Sequence, residues 1–352
     1  MKIDRVHFYV EDARASCDWF VRYLGFQRVS GHLTSFHTRT EIVQSGSVYF
    51  WLSSPLSTLS PVAEFLRQHP PGVADVAFVI EDVAAVMARA QAHDVTILQP
   101  IQEYQQNGEY VKSGKIAAWG GLTHTLIEKS GGVDEWGSGG VGDSPFCTAI
   151  DHLVLNVATG DLKQAVAWYG NILDFQPQQA FKIQSDRSAL FSQVLISPDG
   201  NVQLPINEPA SANSQIQEFL NLNRGAGIQH IALHTTNIVQ AIAKFRACGL
   251  ALLPVPQSYY TQLKTKLTLP LLPEEFEAIA QQEILIDWKD TPDPQRVTPL
   301  LLQIFTQPIF GQPTFFLELI ERRSQAQGFG EGNFRALFEA IESEQIKRGS
   351  LN

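Results

Sequence analysis

Ile150-Asp151-His152-Leu153-Val154-Leu155-Asn156-Val157 repeats Ile3-Asp4-Arg5-Val6-His7-Phe8-Tyr9-Val10, 147 residues further along the chain. Both are short apolar runs whose β-branched and aromatic residues read as strands. The likeness extends along both copies. Asp18-Trp19-Phe20 through Gly25-Phe26-Gln27 matches Ala167-Trp168-Tyr169 through Asp174-Phe175-Gln176 at an offset of 149. Gly72 to Phe78 matches Gly227 to Leu233 at 155, and Leu126-Ile127-Glu128-Lys129 matches Leu319-Ile320-Glu321-Arg322 at 193. The second copy therefore carries an insertion of 38 residues, placed within 251–300. A repeat of this kind makes each copy a similar structural unit.

Within each copy a strand is followed by a helical stretch and then further short apolar runs. Ala13 to Tyr23 and Leu162 to Asn171 carry apolar residues at helical spacing. The pattern recurs at Val76 to Ile80 before Val83 to Ala92, and at Ile231 to His234 before Ile238 to Cys248. Four modules that begin with a strand and a helix give two per domain. Residues 1–130 form the first domain, 131–149 a Gly-rich connection and 150–352 the second domain. Inside the insertion, Pro273 before Glu274 and Glu275 reads as a helix start. Near the end, Asn333 reads as an N-cap, followed by a stripe of Phe334, Leu337, Phe338 and Ile341 that needs a surface to cover. A terminal lid over the second domain is the expectation.

Composition excludes several classes. Of 352 residues 44% are hydrophobic and 18% charged, ordinary for a globular chain of two domains. A net charge of −10 offers no basic face for nucleic acid. The opening Met1-Lys2-Ile3-Asp4 reads straight into a strand rather than a signal peptide, and no apolar run reaches membrane-spanning length, so a cytoplasmic protein without a membrane partner is expected. Cys17, Cys147 and Cys248 are too scattered for a disulfide framework or a thiolate metal site and read as buried thiols.

Three positions separate the copies chemically: Arg5, Asp75 and Thr125 become His152, His230 and Glu318. One residue from each of three strands can converge on one face of a curved sheet, because alternate side chains share a face. Two imidazoles and a carboxylate leave positions open on a metal, as in non-haem Fe(II) oxygenases. Taken singly, each histidine is as well read as a hydrogen-bonded core residue and Glu318 as a pairing partner. Together, at homologous places in repeated modules, they read as a metal site, since an unpaired carboxylate in so apolar a strand would be costly. The other histidines compete poorly. His7 and His124 are out of register, and His234 lies over ~13 Å along its strand from His230.

Several stretches taken in order carry a family resemblance: Leu204-Pro205-Ile206-Asn207-Glu208-Pro209, Ser214-Gln215-Ile216-Gln217, Gly225 to Leu233, Ser258-Tyr259-Tyr260, Leu302-Gln303-Ile304-Phe305-Thr306 and Gly328-Phe329-Gly330-Glu331-Gly332-Asn333-Phe334. With Ile150-Asp151-His152-Leu153, they resemble the 4-hydroxyphenylpyruvate dioxygenases of the vicinal-oxygen-chelate superfamily. The resemblance covers essentially the whole chain. It implies an α+β fold of two tandem glyoxalase/bleomycin-resistance-like domains, each made of paired βαβββ modules forming an open half-barrel.

It also implies one Fe(2+) per chain on His152, His230 and Glu318, and none in the first domain, which is then structural or oligomerising. Ser192, Asn207, Gln215, Gln229 and Gln303 would line the substrate pocket, with Asn207, Gln229 and Gln303 serving catalysis. Phe305, Phe316, Phe329 and Phe334 would surround the aromatic ring, with Asn333 beside them. The implied partners are 4-hydroxyphenylpyruvate and O2, and the implied assembly is a homo-oligomer, a dimer or tetramer. The implied reaction is oxidative decarboxylation, ring hydroxylation and side-chain migration to homogentisate and CO2. 4-Hydroxymandelate synthase, on the same substrate, is the nearest alternative; a glyoxalase-like isomerase and a binding-only protein are more distant ones.

Overall fold

The computed structural model describes residues 1–30, 33–106, 108–130, 145–184, 188–265, 269–288 and 297–349. In the first domain the strands are β1 (Lys2–Tyr9), β2 (Gln27–Arg28), β3 (Leu33–Thr34), β4 (Thr38–Ser45), β5 (Val48–Pro55), β6 (Gly72–Val79), β7 (Ile97–Gln106), β8 (Glu109–Ala117) and β9 (Thr123–Ser130). The helices between them are α1 (Ala13–Leu24), α2 (Pro61–Gln68) and α3 (Val83–Ala92). The second domain has β10 (Ala149–Asn156), α4 (Leu162–Leu173), β11 (Gln176–Gln184), β12 (Ala189–Ile196), β13 (Gln203–Pro209), α5 (Gln215–Asn223) and β14 (Gly227–His234). It continues through α6 (Ile238–Ala247), α7 (Gln257–Lys264), α8 (Pro273–Gln281), β15 (Leu285–Trp288), β16 (Leu300–Phe305), β17 (Phe316–Arg323) and α9 (Glu331–Arg348).

Each domain is one mixed sheet of two βαβββ modules. The orders are β2-β4-β5-β1-β6-β9-β8-β7, with β3 on β4, and β11-β12-β13-β10-β14-β17-β16-β15. The modules join where β1 meets β6, and β10 meets β14, antiparallel. Each of these central strands has a parallel neighbour on its other side. The second sheet curls into a half-barrel.

The repeat extends to single hydrogen bonds. Val83 N at the start of α3 donates to Glu128 Oε2 (3.0 Å), and Ile238 N at the start of α6 donates to Glu321 Oε2 (2.7 Å). Each carboxylate meets the positive end of a helix from the strand beneath it. Both helices bury the same stripe, Val83, Val86, Met87 and Ala90 in α3 and Ile238, Ala241, Ile242 and Phe245 in α6. Each large apolar side chain so buried contributes roughly 1.5–3 kcal/mol.

The two domains share one apolar core, in which the Phe8 ring meets Phe315 edge-on at 5.2 Å. His124 Nε2 lies 3.1 Å from the Tyr169 hydroxyl across the same seam. Gly120, at φ +67°, comes so close to the second domain that a Cβ there would lie 2.4 Å from Ala226 Cβ. At the connection between the domains, Cys147 is buried and its carbonyl accepts from Ser45 Oγ. Residues 131–144 lie outside the described residues. Cys17 is also buried, whereas Cys248 is only partly covered. Among the described residues no helix is long and apolar enough to cross a membrane.

The inserted stretch forms α7 and α8, and α8 begins with Pro273 in its first turn. The helix near the end, α9, corrects one expectation. Its cap is Gly330, at φ +73°, not Asn333, which sits inside the first turn. The Asn333 amide is used for tertiary contacts instead. It donates to Gln303 Oε1 (2.9 Å) and accepts from the Tyr259 hydroxyl (3.0 Å). A buried amide and a half-buried phenol outcompete a local cap that a glycine entry makes dispensable.

Candidate metal centre and cavity

Strand register explains how residues far apart in sequence meet. His152 on β10 lies beside Ala232 on β14, which lies beside Glu318 on β17. An alanine between the two leaves the space over which imidazole and carboxylate reach toward each other. His230 is two residues along β14 from Ala232, so it shares that face. His152 Nε2 lies 3.3 Å and His230 Nε2 3.6 Å from Glu318 Oε2. All three residues are buried, with one ligand atom from each within 4.8 Å of the others.

Two bulges interrupt the β10–β14 ladder. The pairing shifts between Ile150 and His152, leaving Asp151 as an extra residue, and between Val154 and Leu155, leaving Gln229 extra on β14. The first domain has matching shifts at Asp4 and Ala74. A bulge re-aims the side chains beside it. Asp151 Oδ1 thereby accepts from His152 Nδ1 (2.8 Å), while Arg322 donates to both Asp151 oxygens (2.6 and 2.7 Å). With Nδ1 donating to Asp151, the His152 ring is turned so that Nε2 points toward Glu318. Gln229 lines the cavity beside His230.

Glu318 is held from behind as well. Gln303 Nε2 donates to its Oε1 (2.8 Å) and also to the Phe329 carbonyl (3.1 Å). This divides the carboxylate's work: Oε1 is occupied by an amide, and Oε2 faces both histidines. His230 has no such support among the described residues, since its Nδ1 is buried without a hydrogen-bond partner. Its plane is set by stacking on Phe316, with centroids 4.7 Å apart and planes at 16°.

The electrostatics match a cation site. Burial alone would lower the His152 imidazole, but the facing Glu318 carboxylate and the Asp151 hydrogen bond carry it up to about 9. His230 is pushed far below its ordinary value by burial, with His152 adding to the effect. Asp151, which burial would raise, is held well below the carboxylate range by Arg322 and His152. Two imidazoles and a carboxylate whose free oxygen faces both form a donor set that fits a divalent metal, and the positive charge that Glu318 favours on His152 is one that a cation would supply instead.

The triad opens into a cavity floored by the half-barrel and roofed by α9. Ser192 and Asn207 sit opposite each other on β12 and β13 and line its far wall. Gln215, from the first turn of α5, and Gln303, from β16, add amides. Phe305, Phe316 and Phe329 supply rings near the metal end, the last 5.2 Å edge-on from His152. Asn333 reaches in from α9. Each of these expected residues thus lines a single cavity; the side chain of Phe334 lies outside the described residues.

Further residues complete the cavity. Leu337, Phe338 and Ile341 of α9 form the roof, and Val154, Val194, Pro205 and Phe181 complete the walls. The helical spacing of the first three already pointed to a covered surface. Asp151 and Arg322 carried no comparable signal.

In the first domain the corresponding face is filled by its own pairs. Asp75 accepts from the hydroxyls of Thr123 (2.6 Å) and Thr125 (2.9 Å) and lies 3.3 Å from Lys115 Nζ. The Arg5 guanidinium lies 4.2 Å from the centre of the Trp51 ring. No metal-holding group of histidine, cysteine or acid occurs there among the described residues.

Residues 2–112 and 151–264 each match the Glyoxalase/Bleomycin resistance protein/Dioxygenase superfamily. The chain is 35% identical to 4-hydroxyphenylpyruvate dioxygenase of Coccidioides posadasii, over 99% of this chain and 94% of that protein. It is also 35% identical to the enzyme of that name from Caenorhabditis briggsae, over 99% and 93%. Among solved structures, a triple variant of 4-hydroxymandelate synthase from Streptomyces coelicolor superposes with a TM-score of 0.85 at 25% identity, covering 98% of both chains. Two glyoxalase-type domains, one His-His-Glu face and near-complete coverage of these relatives place the chain in the 4-hydroxyphenylpyruvate dioxygenase family.

Proposed function

We propose that the protein is an Fe(II)-dependent dioxygenase that converts 4-hydroxyphenylpyruvate and O2 to homogentisate and CO2. The observation that carries the reading is the triad itself, one Glu318 oxygen engaged by Gln303 and the other turned to two imidazoles at the floor of a ring-lined cavity. His152, His230 and Glu318 would hold the metal from one side of the cavity, leaving its other side to a 2-oxo acid substrate. Iron, when bound, supplies the redox chemistry with oxygen that zinc lacks.

The remaining work falls to the chain. Phe305, Phe316 and Phe329 hold a flat ring near the metal end. Ser192, Asn207, Gln215 and Gln229 offer neutral donors and acceptors to a phenol or carboxylate without adding charge. Gln215 Oε1 is buried with no hydrogen-bond partner among the described residues, which suits a substrate hydroxyl. Roofing by Leu337, Phe338 and Ile341 excludes water from the reacting centre.

The nearest alternative product is 4-hydroxymandelate, because the 4-hydroxymandelate synthase variant shares the fold over nearly its whole length. The 35% identity to two 4-hydroxyphenylpyruvate dioxygenases, over nearly the whole chain, favours homogentisate. Anaerobic loading with Fe(II), then 4-hydroxyphenylpyruvate and O2 with product identification, tests both readings. Homogentisate with one CO2 released is expected. Mandelate as the main product would overturn the choice between them, and no turnover with iron bound would overturn the substrate.

A further inference from the structure

Behind the triad, hydrogen bonds run from the metal-facing side chains to the entry of α9. Arg322, at the end of β17, uses both sides of its guanidinium. Nε and Nη2 hold Asp151, and Nη1 donates to the carbonyls of Gly328 (2.8 Å) and Ala326 (3.2 Å). Asp151 in turn accepts from His152. A second route starts inside α9, where Asn333 Nδ2 donates to Gln303 Oε1, and Gln303 Nε2 donates to Glu318. Residues 326–333 are therefore tied to the outer sides of two of the three triad members. Beyond them, α9 carries the cavity roof and closes down through Ser188 to Glu342 and Arg348 to Glu218.

We infer that Arg322 is a positioning residue that couples the seating of α9 to the orientation of His152, so that metal binding and roof closure strengthen each other. The inference rests on the metal reading of the triad. The duplication supplies an internal comparison: Lys129 stands at the position of Arg322, and its ammonium lies 3.0 Å from Asp4, the counterpart of Asp151. In the domain without a triad the acid is met by Lys129 on one oxygen and on the other by Arg5, the counterpart of His152. Only a fork can hold the acid on one edge and two carbonyls on the other. Coupling between two sites is reciprocal, so tightening either must tighten the other by the same factor.

The test uses the full chain under anaerobic conditions, with Fe(II) alone as the ligand. Metal affinity is followed by titration, and the seating of α9 by hydrogen exchange of its backbone amides. In the wild type, saturating Fe(II) should slow exchange across α9 by about tenfold. Arg322→Lys should weaken metal binding by no more than about tenfold, the coupling factor itself, because Asp151 stays paired, yet lose most of that protection. Asp151→Asn should weaken the metal by about 10–100-fold. Should Arg322→Lys fail to fold, Asn333→Ala cuts the second route and should reduce the protection by itself. Iron that binds the wild type without slowing exchange in α9 overturns the coupling while leaving the triad intact, as does Arg322→Lys with full protection. A flat titration of the wild type overturns the metal reading, and the coupling with it.

Discussion

His124 should make the seam between the domains acid-sensitive. Its ring is buried, with Nδ1 3.1 Å from the Val76 carbonyl and Nε2 3.1 Å from the Tyr169 hydroxyl. A carbonyl can only accept, so Nδ1 carries the proton and Nε2 accepts from Tyr169. Burial, only partly offset by the Val76 bond, lowers the imidazole from 6.5 to about 4. Between those values the unfolded chain binds the proton and the folded chain does not. The stabilisation is therefore complete above about pH 6.5, falls as the pH drops toward 4, and is level below that. A displacement of this size corresponds to about 3 kcal/mol over the window. His7, lowered to about 3 by burial, adds a background of the same sign. His124→Gln removes one titration and leaves the other. Urea unfolding of metal-free wild type and variant, at steps from pH 7 to pH 4, gives the difference in stability at each pH. That difference should shrink by about 2–3 kcal/mol toward pH 4. A difference that stays constant across the range would refute the assignment of a neutral, buried His124.

Three further outcomes follow from the site. Glu318→Gln keeps the shape of the side chain but removes its charge, and metal content by elemental analysis should fall below about a tenth of the wild type with circular dichroism unchanged; full metal retention would show that the centre is misplaced. Gln303→Leu strands Glu318 Oε1 and the Asn333 amide, each costing about 1–3 kcal/mol, so the melting temperature should drop by several degrees and metal affinity by about tenfold. Gly330→Ala forces a Cβ to 1.9 Å from Gln303 Oε1 at a left-handed φ of +73°, and should reproduce most of the Gln303→Leu loss; wild-type stability would mean that α9 does not enter as described.

Much of this arrangement was legible in the chain because it follows from periodicity. Alternation along three strands put His152, His230 and Glu318 on one face, and helical spacing marked Leu337, Phe338 and Ile341 as a stripe in need of a surface. The bulges were not legible. Asp151 and Gln229 are single extra residues that shift the parity of a strand, and no pattern with a period of two reveals where that happens. Arg322 at a strand end reads as a solvated charge until the turn after β17 brings Ala326 and Gly328 back over it. Asn333 shows the opposite failure. Cap preference is a local property, and Gln303, thirty residues earlier, claimed the amide.

The duplication allows a stricter test of what makes one copy a metal site. Arg5, Ala77 and Thr125 lie side by side in the same row as His152, Ala232 and Glu318, and Asp75 lies two residues from Ala77 as His230 does from Ala232. The bulge that sets Asp151 behind His152 has its match at Asp4. If backbone geometry is already equivalent, side chains alone separate the copies. Changing Arg5→His, Asp75→His and Thr125→Glu should still fail, because Lys115 occupies the place that Phe305 has in the second copy, beside the carboxylate position. An ammonium about 4 Å from a divalent ion opposes it by several kcal/mol at an effective dielectric near 20, enough to weaken binding by about a thousandfold or more. Adding Lys115→Phe removes that opposition. The four-residue variant should then hold about two metal ions per chain by elemental analysis, where the three-residue variant holds one. A folded four-residue variant that stays at one would show that the first sheet differs in curvature at this face, and that the second copy was shaped for metal by more than its ligands.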